Sequence, residues 1–163
     1  MTHFPPGKLS TRLGRAIGWA AILPFGILCT PQSWADTCTG YEVATLGPNE
    51  TTDFGHGLKH TRLKSQPVLL SDNPLYNLLV GECVGAMLQT PDGKTQSAGY
   101  CVRHDKAGDS LSTAWSQAPG ADKGEWHATG GTGKYAGRQD SGWWQVLHAD
   151  AKVYVSKWGG DCR

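Results

Sequence analysis

The sequence predicts an all-β fold, an antiparallel sandwich or barrel built as one domain, and three observations predict it. From Asp36 onward there is no convincing helical period, while short alternating runs recur about every 10 to 14 residues between Gly, Asp, Asn and Pro. Glycine is abundant there, at 18 of the chain's 22. Four cysteines also fall in this part, the even count expected of a disulfide-bonded exported domain.

The segment before Asp36 reads as a secretory signal. Lys8, Arg12 and Arg15 form a basic start without acidic residues, and Ala16 to Leu28 is an almost unbroken apolar run. The run contains Pro24 and falls short of the roughly 20 residues that span a hydrocarbon core, which disfavours a retained membrane helix. Ser33-Trp34-Ala35 places small side chains where a signal peptidase reads them, so cleavage is expected after Ala35. Residues 1–35 are thus a removed signal and residues 36–163 the domain. The location is exported, periplasmic or extracellular, with no integral membrane segment in the mature form. Cys29 follows the bulky Ile27 and Leu28, a poor context for lipidation. Beyond the signal, 12 basic residues stand against 14 acidic ones, a balance of −2 that offers no basic patch for nucleic acid.

Along the domain, the first hard stretch is Gly47 to Pro74. It has weak alternation near Leu58 to Leu63, a Val68-Leu69-Leu70 run and three prolines, and predicts one or two strands with loops. Leu78 to His104 is the clearest hairpin. Pro91 and Asp92 suit the centre of a type I turn, and Gly93 suits the left-handed position that completes a three-residue loop. With Thr90 opposite Lys94, Cys83 falls opposite Cys101, an odd number of steps from the closing pair. That is a non-hydrogen-bonded site, where Cα atoms approach to about 4.5 Å and a disulfide can form. Cys38 is then left to pair with Cys162, as neighbouring first and last strands of a closed barrel allow. Free or metal-bound cysteines are the alternative, disfavoured by the absence of any CxxC pair. His104 to Asp109 turns the chain between Thr95 to Arg103 and Ser110 to Gln117, and Pro119 to Asp122 leads to Gly124 to Thr129. Strands at Gly142 to His148 and Val153 to Trp158 complete the set.

Several segments imitate catalytic motifs. Thr129 to Tyr135 resembles a phosphate loop, but Ala128 stands where its first glycine belongs and Tyr135 where its magnesium-binding hydroxyl belongs. Gly131, Gly133 and Gly137 have the wrong interval for a dinucleotide fingerprint, so a tight turn between strands accounts for them better. His56 and His60 lack a third zinc ligand, and Asp105 and Asp109 lack the oxygen density of a calcium loop. No metal and no cofactor is therefore expected. The remaining candidates are aromatic. Tyr100, Trp115, Trp126, Tyr135 and Trp144 are expected as ligand-binding residues on a barrel lumen, against the plainer reading that they only fill a core. Adjacent Trp143 and Trp144 must face opposite sides.

Cys83-Val84-Gly85, Asp92-Gly93, Gly99-Tyr100-Cys101, Asp105 to Asp109, Gly130 to Gly137 and Ser141-Gly142-Trp143 follow one another in an order that resembles a group of exported bacterial proteins of undefined role. The Gly-Thr-Gly-Lys-Tyr-Ala-Gly run also resembles the glycine-rich hairpin of allene oxide cyclase-like and dirigent-like barrels. That resemblance implies a calycin-like, eight-stranded antiparallel barrel with a central cavity. Fold transfers by such likeness more readily than chemistry. Three functions are weighed. The leading one is a non-enzymatic barrel holding a small apolar or aromatic ligand. The second is a cyclase or isomerase acting on a hydrophobic substrate, with Glu42 or Glu82 as acid or base. The third is a surface protein-interaction module, which a filled barrel without a cavity favours.

Overall fold

A computed structural model describes residues 37–162. The expected signal, its cleavage after Ala35 and Cys29 lie outside the described residues. Nine strands follow in order: β1 (Cys38–Leu46), β2 (Glu50–Asp53), β3 (Lys59–Ser71), β4 (Val80–Gln89), β5 (Thr95–His104), β6 (Ser110–Gln117), β7 (Gly124–Gly131), β8 (Ser141–Ala149) and β9 (Val153–Asp161). From β2 to β9 each strand pairs antiparallel with the next, and β1 pairs with both β9 and β3. Eight strands thereby close into a barrel, and the short β2 lies on the first part of β3, which β1 does not reach. Closure removes the unpaired edges that an open sheet would expose. Among the described residues no helix is long and apolar enough to cross a membrane.

The β4–β5 hairpin has the register that its turn dictates. The Thr90 N–H donates to the Lys94 carbonyl at 2.8 Å, Gly93 has φ +81°, and Cys83 lies opposite Cys101. Two disulfides join Cys83 to Cys101 and Cys38 to Cys162, with Cα separations of 4.0 and 5.8 Å. The region from Gly47 to Pro74 holds two strands with loops, as expected, and the second of them, β3, runs unbroken through Pro67 for 13 residues. Pro67 sits opposite Ala44 of β1, and on the other side the β3–β4 ladder skips from Ser65 to Val68. The missing N–H therefore falls in the gap of that ladder, which is how an interior strand tolerates a proline.

One end of the barrel is closed by its own connections. Tyr76 and Leu79 of the β3–β4 loop and Tyr135 of a 3-10 turn (Gly133–Tyr135) are fully buried against Leu69, Leu111, Trp158 and the Cys38–Cys162 bridge. The glycine-rich run is a clamp on this end. The Lys134 ammonium pairs with Asp105, its backbone N–H donates to Asp109 Oδ2 at 3.3 Å, and the Tyr135 hydroxyl donates to the Leu75 carbonyl at 2.7 Å. Lys134, with the N–H groups of Ala107 and Asp109, holds the Asp105 carboxyl below the usual carboxylate range. Both of its oxygens thus meet partners in the protein itself. Beside it, Tyr76 donates to Asp140, whose carboxylate is paired with Arg138. Burial first, then the Asp140 contact, pushes the Tyr76 phenol above its ordinary range.

Candidate functional site

The interior above this plug is hollow. Side chains at alternate positions of all eight barrel strands line a cavity of about 320 Å³, at the small end of the range for ligand sites. Four indoles stand in its wall. Trp115, Trp126, Trp144 and Trp158 stand in edge-to-face pairs, Trp115 with Trp144 and Trp126 with Trp158, at centroid distances of 6.0 and 6.1 Å. Trp126 and Trp144 donate their ring N–H groups to the carbonyls of Gly159 and Glu125, both at 3.3 Å, which fixes the rings in orientation. Half-buried Leu63, Met87 and Gln117 frame the end opposite the plug, where solvent reaches the space.

These indoles fit because the facing strands carry glycine. A Cβ at Gly85 or Gly99 would fall 2.6 or 2.5 Å from Cζ2 of Trp115, and one at Gly124 would fall 2.2 Å from Cε2 of Trp144. The interior glycines of the strands are therefore sockets rather than turns. The variant Gly124→Ala is expected to force Trp144 aside, lowering stability by about 1 to 3 kcal/mol. Urea unfolding followed by tryptophan emission checks this, and an unchanged midpoint with an unshifted native spectrum would contradict the socket.

One side of the wall is polar and buried. The Arg103 guanidinium, 8% exposed, donates through Nη2 to Glu42 Oε2 at 2.5 Å and through Nη1 to Thr113 Oγ1 at 2.9 Å. Nη2 also lies 3.7 Å from Cys83 Sγ, because the Cys83–Cys101 bridge faces inward and forms part of the lining. Tyr154 and Ser156 of β9 complete this patch. Burial, reinforced by the Glu42 charge, pushes the Tyr154 phenol above its ordinary range, so it stays a neutral donor at physiological pH.

Among the residues expected from sequence, Trp115, Trp126 and Trp144 line the cavity together. Tyr100 does not: it is 64% exposed on the outer face of β5, because its neighbour Cys101 faces in. Tyr135 is also displaced from the expected lumen position, since it belongs to the 3-10 turn and packs in the plug with no surface on the cavity. Trp143 turns outward, where the Lys123 ammonium sits 4.4 Å from its ring centroid. Of the two carboxylates weighed, Glu42 faces the cavity and Glu82 is exposed on the outer face of β4. Trp158 and Tyr154, aromatic candidates on the last strand whose faces the sequence leaves unassigned, also line the cavity, whereas sequence reading missed the Arg103 contact with Glu42. The pairing of Trp144 with Trp158 across β8 and β9 is a same-face relation that alternation could have suggested. Arg103 and Glu42 lie 61 residues apart and carry no local signal. Among the described residues, no three His, Cys, Asp or Glu side chains gather as metal ligands.

Fold and cavity together define a class: a disulfide-bonded, closed eight-stranded antiparallel barrel whose chamber carries four indoles and the buried Arg103–Glu42 pair in its wall. No protein-family model matches the chain, and no curated protein matches it. Among solved structures it is similar to the pterocarpan synthase dirigent protein GePTS1, at a TM-score of 0.49 and 10% identity over 85% of this chain and 96% of that one. It is also similar to pyocyanin demethylase, at a TM-score of 0.43 and 21% identity over 74% of this chain and 98% of that one. The dirigent protein PsPTS1 shows a TM-score of 0.46 and 10% identity over 78% and 96%.

Proposed function

We propose that the chain is exported by the signal at residues 1–35, and that the domain at 36–163 holds a small apolar or aromatic ligand inside its barrel, in the periplasm or outside the cell. The observation that carries this reading is the hollow chamber walled by Trp115, Trp126, Trp144 and Trp158. Flat, rigid indoles contribute large apolar contact at little cost in side-chain entropy, which suits a flat and compact guest. Two disulfides fit the exported setting. The interaction-module reading asks for a filled barrel, and the chamber weighs against it.

The test is a titration of the purified domain with N-phenyl-1-naphthylamine, read by energy transfer from tryptophan. Saturation at one probe per chain is expected. Trp115→Ala is expected to weaken binding about tenfold, the equivalent of some 1.4 kcal/mol, while outward Trp143→Ala leaves it unchanged. A linear, unsaturated rise, or equal losses in both variants, would remove the proposal.

A second reading, cyclase or isomerase activity on a hydrophobic substrate, is favoured by one observation. The Glu42 carboxylate faces the chamber next to the neutral Tyr154 phenol. In that case Glu42→Gln abolishes turnover of a substrate that the variant still binds.

A further inference from the structure

The two disulfides occupy different environments. Cys38–Cys162 is sealed in the plug, among Leu69, Tyr76 and Leu111. Cys83–Cys101 lies on the cavity wall, where anything that fills the chamber meets it. The Arg103 guanidinium donates to Cys83 Sγ at 3.7 Å, and no such contact exists for the sulfur of Cys101 among the described residues. A cation beside one sulfur of a disulfide favours that sulfur as the departing thiolate, since the charge that develops on it is stabilised where it forms. The rate of exchange rises as the leaving thiol becomes more acidic, so the contact selects a direction of cleavage.

The geometry points to Cys83–Cys101 as a site of thiol–disulfide exchange with small thiols that enter the chamber. The thiolate of the incoming molecule attacks Cys101 Sγ, a bond forms between the two sulfurs, and the Cys83–Cys101 bond breaks. Its electron pair leaves on Cys83 as a thiolate beside Arg103. The product is a mixed disulfide on Cys101. A second thiol molecule then displaces Cys101, and the net change is reduction of the protein bridge to two thiols with oxidation of two small thiols to their disulfide. Glu42 limits the effect because it shares Nη2 of the same guanidinium at 2.5 Å. It does not cancel the effect, since each guanidinium nitrogen of this type carries two hydrogens. The chamber also acts as a size filter, because a protein-sized reductant cannot follow a small thiol past the half-buried Leu63, Met87 and Gln117.

The experiment exposes the folded, oxidised domain to 2-mercaptoethanol or, separately, to reduced thioredoxin. Acid quenching, alkylation and peptide mass mapping then follow both bridges. With the small thiol, Cys83–Cys101 is expected to open at least about tenfold faster than Cys38–Cys162, with the adduct on Cys101 and the alkyl label on Cys83. Thioredoxin is expected to show no such preference. Arg103→Gln is expected to slow opening of Cys83–Cys101 about threefold, and Arg103→Lys to retain most of the rate. The rate at Cys38–Cys162 in each variant reports global unfolding, so a loss of fold is recognised separately. Equal rates for the two bridges, an adduct on Cys83, or thioredoxin acting as fast as the small thiol would overturn the inference. So would an Arg103→Gln variant that stays folded and exchanges at the original rate.

Discussion

Replacing Cys38 and Cys162 together by alanine is expected to lower the unfolding free energy by about 4 to 5 kcal/mol, because the bridge closes a 124-residue loop in the unfolded chain. Domains of this size hold only about 5 to 15 kcal/mol in total, so the variant is expected to sit at the edge of folding near body temperature. The bridge does more than restrict the unfolded state. It ties the first strand to the residue after the last one, at the plug, where both sulfurs pack among buried aromatic and aliphatic side chains. Removing Cys83–Cys101 instead relaxes an 18-residue loop, worth about 3 kcal/mol in the same model. Urea unfolding of the two double variants checks the order. A larger loss from the hairpin bridge than from the terminal one would show that β1 and β9 hold together without covalent help.

The second large effect concerns the ion pair inside the chamber. Arg103→Met is expected to cost about 3 to 5 kcal/mol, since it leaves the Glu42 carboxylate buried with its partner gone. Thr113 and the disulfide wall offer no replacement charge. If desolvation is the reason, the double variant Arg103→Met with Glu42→Leu regains most of the loss, because a buried pair exchanged for apolar side chains is often close to neutral. A double-mutant cycle by denaturant unfolding separates the cases. Additive losses in the double variant would mean that the two side chains do not interact in the folded protein.

Much of this architecture is written in local chemistry. Thr90-Pro91-Asp92-Gly93-Lys94 specifies a loop length, the loop length specifies the register, and the register places Cys83 against Cys101. The same period-2 logic separates Trp143 from Trp144 and places Trp115 and Trp126 on one face, as the pairing between β6 and β7 requires. Tyr100 was open to the same argument once Cys101 was known to face inward, because adjacent strand residues cannot share a side. Tyr135 was not, since no period assigns a face to a residue in a 3-10 turn.

Other features have no local signature. An extra residue in β8 lets Val146 and Ala149 both reach the cavity, where strict alternation would send one of them out. Turn chemistry and strand sockets both call for glycine, so Gly85, Gly99 and Gly124 resemble the turn glycines until a tryptophan from another strand is seen against each. The meeting of Glu42 with Arg103 depends on barrel closure, which brings β1 across the lumen from β5 through contacts made far apart in sequence.

The closed barrel encloses a chamber with indoles in its wall and an opening for small molecules. A crystal of the domain pressurised with xenon locates that space, because xenon settles against apolar walls such as the indoles. A xenon atom is expected within van der Waals contact of Trp115, Trp126 and Trp144. Indoles collapsed onto one another, with no xenon between β6, β7 and β8, would contradict it.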